Sequence, residues 1–240
     1  MPNHQDFLNT TLTAAAKIAV ANFGNLSHSV KAGDRNQVLT ETDLEIGHFL
    51  TDAIRTAYPD HNIIDEELGC VDNGSRYTWV VDPIDGTSNF AVGLPQYGIM
   101  LGLLDHDTPV AGGIALPTFG ELYIATKGAG AWCNGQKIHV SRESDLANSL
   151  VAYGIDGHPE DPARTKCEAE LYLAPSSSRS VIFAPPTVFS TKQWLRGVPM
   201  ALAPTKRARS GTTSRSRSLL RKQAASIPIL LVTPWITTTP

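Results

Sequence analysis

The feature that most constrains this chain is a short apolar strand that runs directly into two aspartates. Residues Trp79–Phe90 read Trp-Val-Val-Asp-Pro-Ile-Asp-Gly-Thr-Ser-Asn-Phe. This pattern predicts a buried strand that stops in a tight turn after Asp82. Because Pro83 fixes its own φ, the turn is stiff and holds Asp82 and Asp85 near one point. Carboxylates this close favour a hard cation such as Mg²⁺ between them. The alternative is a solvated Asp-Pro turn at a strand end.

A second apolar strand upstream also ends in acidic residues. The segment Asn62–Gly69 reads Asn-Ile-Ile-Asp-Glu-Glu-Leu-Gly. A strand end that delivers more carboxylates is what a site holding several metal ions through oxygen ligands needs. Taken alone, such an acidic segment is more often a solvated loop. The pairing of this segment with the Asp82–Asp85 turn is therefore what makes a metal site the better interpretation.

A third acidic segment lies at the start of a predicted helix. Thr42 followed three residues later by Glu45 predicts a capping box, and the apolar residues from Ile46 onward follow helical spacing. This places Asp43 at a helix N-terminus, where the helix dipole favours its charge. In isolation, Asp43 is better explained as a helix cap with no further role.

Together these segments resemble the inositol monophosphatase family, the magnesium-dependent, lithium-sensitive sugar phosphatases. The resemblance covers roughly residues 5 to 170. One departure is Asp65, where many members have glycine before the two glutamates. The resemblance rests on four segments of the chain: Thr42-Asp43, Glu66-Glu67, Asp82–Thr87, and Gly112–Ser141 with its Gly-Ala-Gly-Ala-Trp-Cys-Asn-Gly run at 128–135.

The resemblance implies a role for each motif residue. The metal ligands would be three carboxylates and one backbone carbonyl: Glu66, Asp82, Asp85 and the Ile84 carbonyl. The phosphate would be bound at the turn that enters a helix, where backbone amides suit an anion, by Gly86, Thr87 and Ser88. The catalytic residues would be Asp43, Glu66 and Thr87.

In the implied reaction, Thr87 and Asp43 help to orient a metal-bound water for in-line attack on phosphorus. Metal coordination lowers the pKa of such a water and stabilises the leaving oxygen. No covalent enzyme intermediate is implied. The resemblance thus implies a Mg²⁺-dependent phosphomonoesterase acting on a small phosphorylated polyol or sugar such as inositol monophosphate, in a protein whose relatives are commonly homodimers.

Periodicity predicts an α+β fold with helices packed on a mostly antiparallel sheet. The resemblance implies the layered α/β sandwich of the sugar phosphatases, with its first half present and its second half missing or out of frame. An antiparallel hairpin is expected around Asp105–Pro109. Helices are predicted near 5–22 and 43–57, and strands near 62–65, 79–82, 98–105, 109–116, 121–126 and 151–155.

Composition agrees with a cytoplasmic enzyme. The chain has 240 residues and is 42% hydrophobic, enough for one sizeable core in one or two domains. Three scattered cysteines suit a reducing compartment. We expect no signal peptide, because the first residues lack a basic segment leading into an apolar core. The apolar stretch Ile227–Val232 is too short to span a bilayer, so no membrane association is expected.

The chain changes character after Glu170. All 23 acidic residues lie at or before this position, and residues 171–240 carry 10 of the 20 lysines and arginines. The sequence therefore divides into a phosphatase-like part, 1–170, and a basic tail rich in Ser, Arg and Pro, 171–240. A tail of this kind is typical of disorder or of non-specific binding to phosphate backbones. It has no nucleic-acid motif, so nucleic-acid association is the weaker alternative.

A shifted reading frame is a better explanation of the tail. Read one base out of register, the codons of residues 209–215 can encode a Trp-Asp pair, and those of 220–225 can encode Glu-Glu-Ala-Gly-Gly. The resemblance implies both segments in the family's second half, where the aspartate completes the metal site. We therefore expect a frame slip between about Glu170 and Ser178. An inactive truncated or frameshifted remnant of a phosphatase is the alternative function that follows.

Overall fold

A computed structural model describes residues 3–24, 28–30, 38–139, 150–152, 161–163, 165–167, 170 and 200–202. The chain divides into two compact units, Met1–Lys137 with Thr213–Pro240, and Ile138–Thr212. The predicted domain boundary at residue 170 and the predicted frame slip stay predictions, because they fall largely outside the described residues. Within these residues, no helix has the length and apolar character needed to cross a membrane.

Two long helices of the first unit each bury an apolar face. Helix α1 (His4–Asn22) begins after Asn3, whose side-chain oxygen accepts a hydrogen bond from the Gln5 backbone amide. Helix α2 (Glu41–Ala57) buries one face through Ile46, Leu50 and Ile54. Helix α1 packs on the middle of the sheet, and α2 packs beside α1 on the strand that carries the two aspartates. Both helices were predicted, and their bounds differ from the prediction by at most two residues.

The helices cover an eight-stranded sheet with the order β10-β9-β8-β7-β6-β5-β3-β4. Each pair with a recorded register is antiparallel except β3 with β5, which run parallel. The predicted α+β layered fold is therefore confirmed. Its strands are β3 (Asn62–Asp65), β4 (Gly69–Val71), β5 (Tyr77–Asp85), β6 (Gly98–Asp105), β7 (Thr108–Leu116), β8 (Glu121–Thr126), β9 (Gly130–Cys133) and β10 (Gln136–Ile138).

The described elements also include four short strands, a short α-helix and a 3-10 helix at Pro117–Phe119. Strands β1 (His28–Val30) and β2 (Val38–Thr40) form an antiparallel pair. In the second unit, β11 (Leu150–Ala152) pairs in parallel with β12 (Met200–Leu202). The predicted strand 151–155 is thus observed at its start, and its last three residues lie outside the described ones. Helix α3 (Thr87–Ala91) follows β5 directly.

The predicted hairpin at Asp105 is confirmed, and a second one closes the far edge of the sheet. β6 and β7 pair antiparallel on either side of a two-residue turn. The Asn134-Gly135 step has positive φ at both residues, which two-residue hairpin turns require. The Asn134 side chain accepts from Leu122 N at 2.8 Å and donates to Gly120 O at 3.0 Å. This family motif therefore shapes the sheet edge rather than a site.

The start of β5 lies in an aromatic cluster. Trp79 is fully buried, and its Nε1 donates to His61 Nδ1 at 3.1 Å. The His61 ring stacks between Tyr58 and Tyr77, with ring centroids 4.9 Å apart on each side. Phe7 of α1 contacts Trp79 as well. The cluster joins both long helices to the strand that carries the motif.

Candidate metal and phosphate site

Strand β5 carries its aspartates differently from the prediction. We expected the strand to stop at Asp82, but it runs on through Pro83 to Asp85. Asp82 pairs with Met100 and Asp85 pairs with Gly98, and the register shifts between them. Proline has no N–H to donate and is tolerated in sheets at such bulges. The bulge therefore replaces the expected turn as the device that presents the two carboxylates.

The neighbouring strand brings Glu66 to the same edge. β3 runs parallel to β5, with Asp65 opposite Val81, and Glu66 N donates to Val81 O at 3.2 Å. Because Asp65 lies opposite Val81, the residues that follow them, Glu66 and Asp82, lie next to each other at the same edge of the sheet. Two segments that are sixteen residues apart in the chain meet in this way, as the sequence predicted.

Asp82 lies at the centre of this acidic group. Only 5% of its surface is exposed. Burial raises the pKa of Asp82 well above its ordinary value, and the nearby charges of Asp85, Glu66, Asp43 and Glu67 raise it further. Each of these effects disfavours the ionised carboxylate. The five acidic residues therefore act on one another as a group, whereas a solvated turn would leave them independent.

The start of α2 corrects the predicted capping box. The N-cap is Thr40, whose backbone is extended, and its box partner is Asp43. We predicted Thr42 with Glu45, but Thr42 is already inside the helix. Asp43 Oδ2 accepts from Thr40 N at 2.8 Å and also from the Thr40 hydroxyl. Both donors come from one residue, so Asp43 is held in a single orientation, and the sequence reading missed Thr40.

The other oxygen of Asp43 faces the end of the motif. Thr87 Oγ1 lies 3.1 Å from Asp43 Oδ1 and 2.8 Å from the Ile84 carbonyl oxygen. Gly86 precedes helix α3 with φ of +86°, a conformation that suits glycine. A Cβ there would lie 3.0 Å from Gln96 O. Ser88, the third predicted phosphate-binding residue, is exposed on the first turn of the helix.

Gly47 marks the point where the three acidic segments pack together. It lies one helical turn after Asp43, so both face the sheet. A Cβ at Gly47 would lie 3.2 Å from Asp65 Oδ2, 3.3 Å from Leu68 Cδ1 and 3.3 Å from Pro83 Cγ. Helix α2 therefore packs closely on the ends of β3 and β5 at this glycine, where a larger residue would force the neighbouring side chains to shift. Sequence reasoning missed Gly47, although a glycine on the apolar face of a helix is a usable signal.

The chemical type of the candidate ligand atoms suits a hard divalent cation. Three carboxylates and a backbone carbonyl are the oxygen ligands that Mg²⁺ takes, and a cation would offset the mutual repulsion that raises the pKa of Asp82. As placed, no three acidic, histidine or cysteine side chains of the described residues converge on one metal position. The carboxylates would therefore need to turn inward to bind an ion. Asp65 is engaged differently, since its Oδ1 accepts from two backbone amides of the loop.

Comparison with known proteins identifies the family. The model of the inositol monophosphatase family matches residues 4–187, more than three quarters of the chain. The chain belongs to the inositol monophosphatase family. The match extends beyond the 5–170 range over which the motifs suggested it.

Relatives from this family match part of the chain. The fructose-1,6-bisphosphatase/inositol-1-monophosphatase of Aquifex aeolicus is 30% identical over 177 residues, covering 72% of this chain and 65% of its own. Inositol monophosphatase 2 of Rattus norvegicus is 39% identical over 134 residues, covering 54% of this chain and 46% of its own. The chain thus spans about half to two thirds of the length of these relatives.

A solved structure supports the same fold. Inositol monophosphatase from Anabaena (Nostoc) sp. superposes with a TM-score of 0.67 and is 26% identical, covering 81% of this chain and 71% of that chain. The layered fold of the family is therefore present in this inositol monophosphatase family member.

Proposed function

We propose that this chain is a metal-dependent phosphomonoesterase that hydrolyses a small phosphorylated polyol or sugar such as inositol monophosphate. The observation that carries the proposal is the buried Asp82 with Asp85 and Glu66 acting on its pKa, beside the hydrogen-bonded pair of Asp43 and Thr87. Relatives that the chain matches are named inositol monophosphatase and fructose-1,6-bisphosphatase/inositol-1-monophosphatase. Phosphate monoesters are among the slowest compounds to hydrolyse unaided, so the site has a large barrier to lower.

The metal-binding residues would be Glu66, Asp82 and Asp85 with the Ile84 carbonyl. Bound Mg²⁺ would supply an acidified water and positive charge against the phosphate. The Ile84 carbonyl can face a cation, because it has two lone pairs and the single hydroxyl proton of Thr87 can be donated to Asp43 instead. The amides of Gly86 and Thr87, with the Ser88 hydroxyl, would hold a phosphate oxygen, because such amides suit an anion.

Asp43 and Thr87 would handle the proton of the attacking water. Asp43 Oδ2 already accepts from two donors of Thr40, so Oδ1 is the oxygen directed to Thr87. A hydroxyl that donates to a carboxylate becomes a stronger acceptor. Thr87 can therefore accept from the water and direct its lone pair toward phosphorus, as general base catalysis requires.

The proposal is tested by phosphate release from the full chain. We expect Mg²⁺-dependent release from inositol 1-phosphate that Asp82→Asn abolishes. Asp72→Asn is the matched control, because Asp72 lies on an exposed loop between β4 and β5 and should retain activity. Release that is independent of Mg²⁺, or equal activity of the Asp82→Asn protein, would overturn the proposal. Fructose 1,6-bisphosphate as a second substrate would narrow the substrate class.

A second candidate is a remnant that binds metal without turnover. It is favoured by one fact, that residues 171–240 contain no Asp or Glu, so no further carboxylate ligand can come from them. It predicts Mn²⁺ binding that Asp82→Asn removes, with no phosphate release by the unsubstituted chain. Sequencing the DNA across codons 170–180 tests its cause, since an uninterrupted frame of correct length excludes a frame slip.

Location and assembly complete the proposal. The thiols of Cys70, Cys133 and Cys167 are free, which supports a reducing cytoplasm. We also propose a homodimer, as is common in the family. Light scattering coupled to size-exclusion chromatography distinguishes it from a monomer.

A further inference from the structure

The loop that carries Glu66 is short. Asp65 pairs with Gly69 across the antiparallel β3–β4 hairpin, so only Glu66, Glu67 and Leu68 lie between the strands. Gly69 has φ of +98°, as a three-residue hairpin loop with a following bulge requires. Any change in this loop therefore moves Glu66 directly.

The Asp65 side chain binds across the inside of this loop. Its Oδ1 accepts from Glu67 N at 2.8 Å and from Leu68 N at 2.9 Å. Aspartate is favoured in turns because its carboxylate can bind backbone amides two and three residues on. Glu66 N donates to Val81 O, so all three loop amides have acceptors. The loop's backbone is therefore fixed by one side chain and one neighbouring strand.

The second oxygen of Asp65 is held against α2. The residue is 1% exposed, and a Cβ on Gly47 would lie 3.2 Å from Oδ2. No described residue forms a hydrogen bond with this oxygen. A buried polar atom without a partner costs stability, so Asp65 is a poor choice for stability alone. Glycine at position 47 leaves room for this oxygen beside the helix, where a larger residue would contact it.

We propose that Asp65 is a positioning residue that sets the direction of Glu66 for cation binding. The inference rests on the proposed metal site and assigns Asp65 a role in holding the loop rather than in binding the ion. Groups that orient a metal ligand through hydrogen bonds typically change metal affinity by about 10- to 100-fold when they are removed. With glycine at position 65, the backbone amides of Glu67 and Leu68 would lose the acceptor that Asp65 Oδ1 provides.

The test measures Mn²⁺ affinity of the full chain by electron paramagnetic resonance, without substrate. Asp65→Ala removes the acceptor and should weaken binding by about tenfold or more. Asp65→Asn keeps Oδ1 and should bind nearly as well as the unsubstituted chain. Asp72→Ala is the control, because Asp72 Oδ1 accepts from Gly74 N at 3.0 Å in a similar but exposed turn; its affinity should not change.

Thermal unfolding of the same proteins separates positioning from mere stability. If Asp65→Ala lowers the unfolding temperature but its folded form binds Mn²⁺ as well as the unsubstituted chain, the positioning role is wrong. If Asp65→Ala does not fold, Asp65→Ser decides, since its shorter side chain reaches fewer loop amides. Binding by Asp65→Ser equal to that of Asp65→Asn would then overturn the role. An unsubstituted chain that binds no Mn²⁺ contradicts the proposed function instead.

Discussion

The two ends of strand β5 have opposite physical character. At its start, Trp79 is buried among aromatic rings and its indole N–H has an acceptor in His61. Near its end, Asp82 is equally buried, but its neighbours are the carboxylates of Asp85 and Glu66. One end buries apolar surface with its polar groups paired, and the other gathers like charges. The same strand thus stabilises the fold at one end and, at the other, accepts the cost of gathering like charges at the proposed metal site.

The largest expected effect on stability is at the aromatic end. Trp79→Ala should lower the free energy of unfolding by about 3–5 kcal/mol, the usual cost of truncating a buried aromatic residue. Urea denaturation followed by circular dichroism measures the loss. Trp132→Ala is the matched control, since Trp132 is half-buried near the sheet edge and should lose less. Equal losses at the two tryptophans would show that the aromatic end of β5 contributes no more to stability than the sheet edge does.

A smaller loss is expected where α2 meets the acidic end. Gly47→Ala should destabilise by about 1–3 kcal/mol, because the added methyl group would lie 3.2–3.3 Å from side-chain atoms of Asp65, Leu68 and Pro83, which would have to shift. Helix propensity alone predicts the opposite, a gain of about 1 kcal/mol. Urea denaturation measures the change in the free energy of unfolding. A loss would show that the close contacts of the added methyl group outweigh its higher helix propensity, and a gain would show the reverse. Asp52→Ala on the exposed face of the same helix should show little change.

At the acidic end itself, removing a charge should cost no stability. Asp82→Asn should leave the free energy of unfolding in metal-free buffer unchanged or raise it, because burial and like charges disfavour the ionised form of Asp82. Added Mg²⁺ should raise the unfolding temperature of the unsubstituted chain only, since ligands that bind the folded state stabilise it. A clear loss of stability in metal-free Asp82→Asn would show that this end contributes to folding after all.

The smallest expected effect is a pH dependence at the aromatic end. Burial lowers the pKa of His61, and the charge of His4 lowers it further, while Asp60 acts in the opposite direction. A histidine with a depressed pKa in the folded state stabilises the fold fully above the unfolded value of about 6.5. This contribution is lost as the pH falls through the folded pKa. Unfolding temperature should therefore decline below about pH 6.5, and His61→Gln should flatten the decline.

Much of the fold was predictable because its signals are local. The helical spacing of α2 and the apolar runs of β5, β6 and β7 gave these elements within a few residues of their observed bounds. The short pairs β1–β2 and β3–β4 were not fully anticipated, because strands of three residues carry almost no periodic pattern. The end of β5 was misplaced because a bulge depends on the partner strand, which no local pattern reports.

The acidic residues of the candidate site are visible in the sequence, whereas the residues that support them are not. The motifs name Glu66, Asp82, Asp85, Asp43 and Thr87; in the structure the three other carboxylates act on the pKa of Asp82, and Thr87 contacts Asp43, while their metal and phosphate roles stay predictions. Thr40 and Gly47 were not chosen, because their roles depend on contacts across the chain. A capping box can start at either of two threonines two residues apart, and only the backbone conformation of Thr40 decides which one is used.

The family is readable from the sequence alone, because an Asp-Pro-Ile-Asp-Gly-Thr segment after an apolar strand is specific at the level of residue identity. The same motifs name the residues proposed to carry the chemistry. Which acidic residues face the candidate site and which fix its loops depends on the tertiary structure. Asp65 and Glu66 are neighbours with similar side chains, yet one binds loop amides against Gly47 and the other joins Asp82. The reason is that successive residues leaving a strand point in different directions, and the packing of α2 fixes what each direction meets.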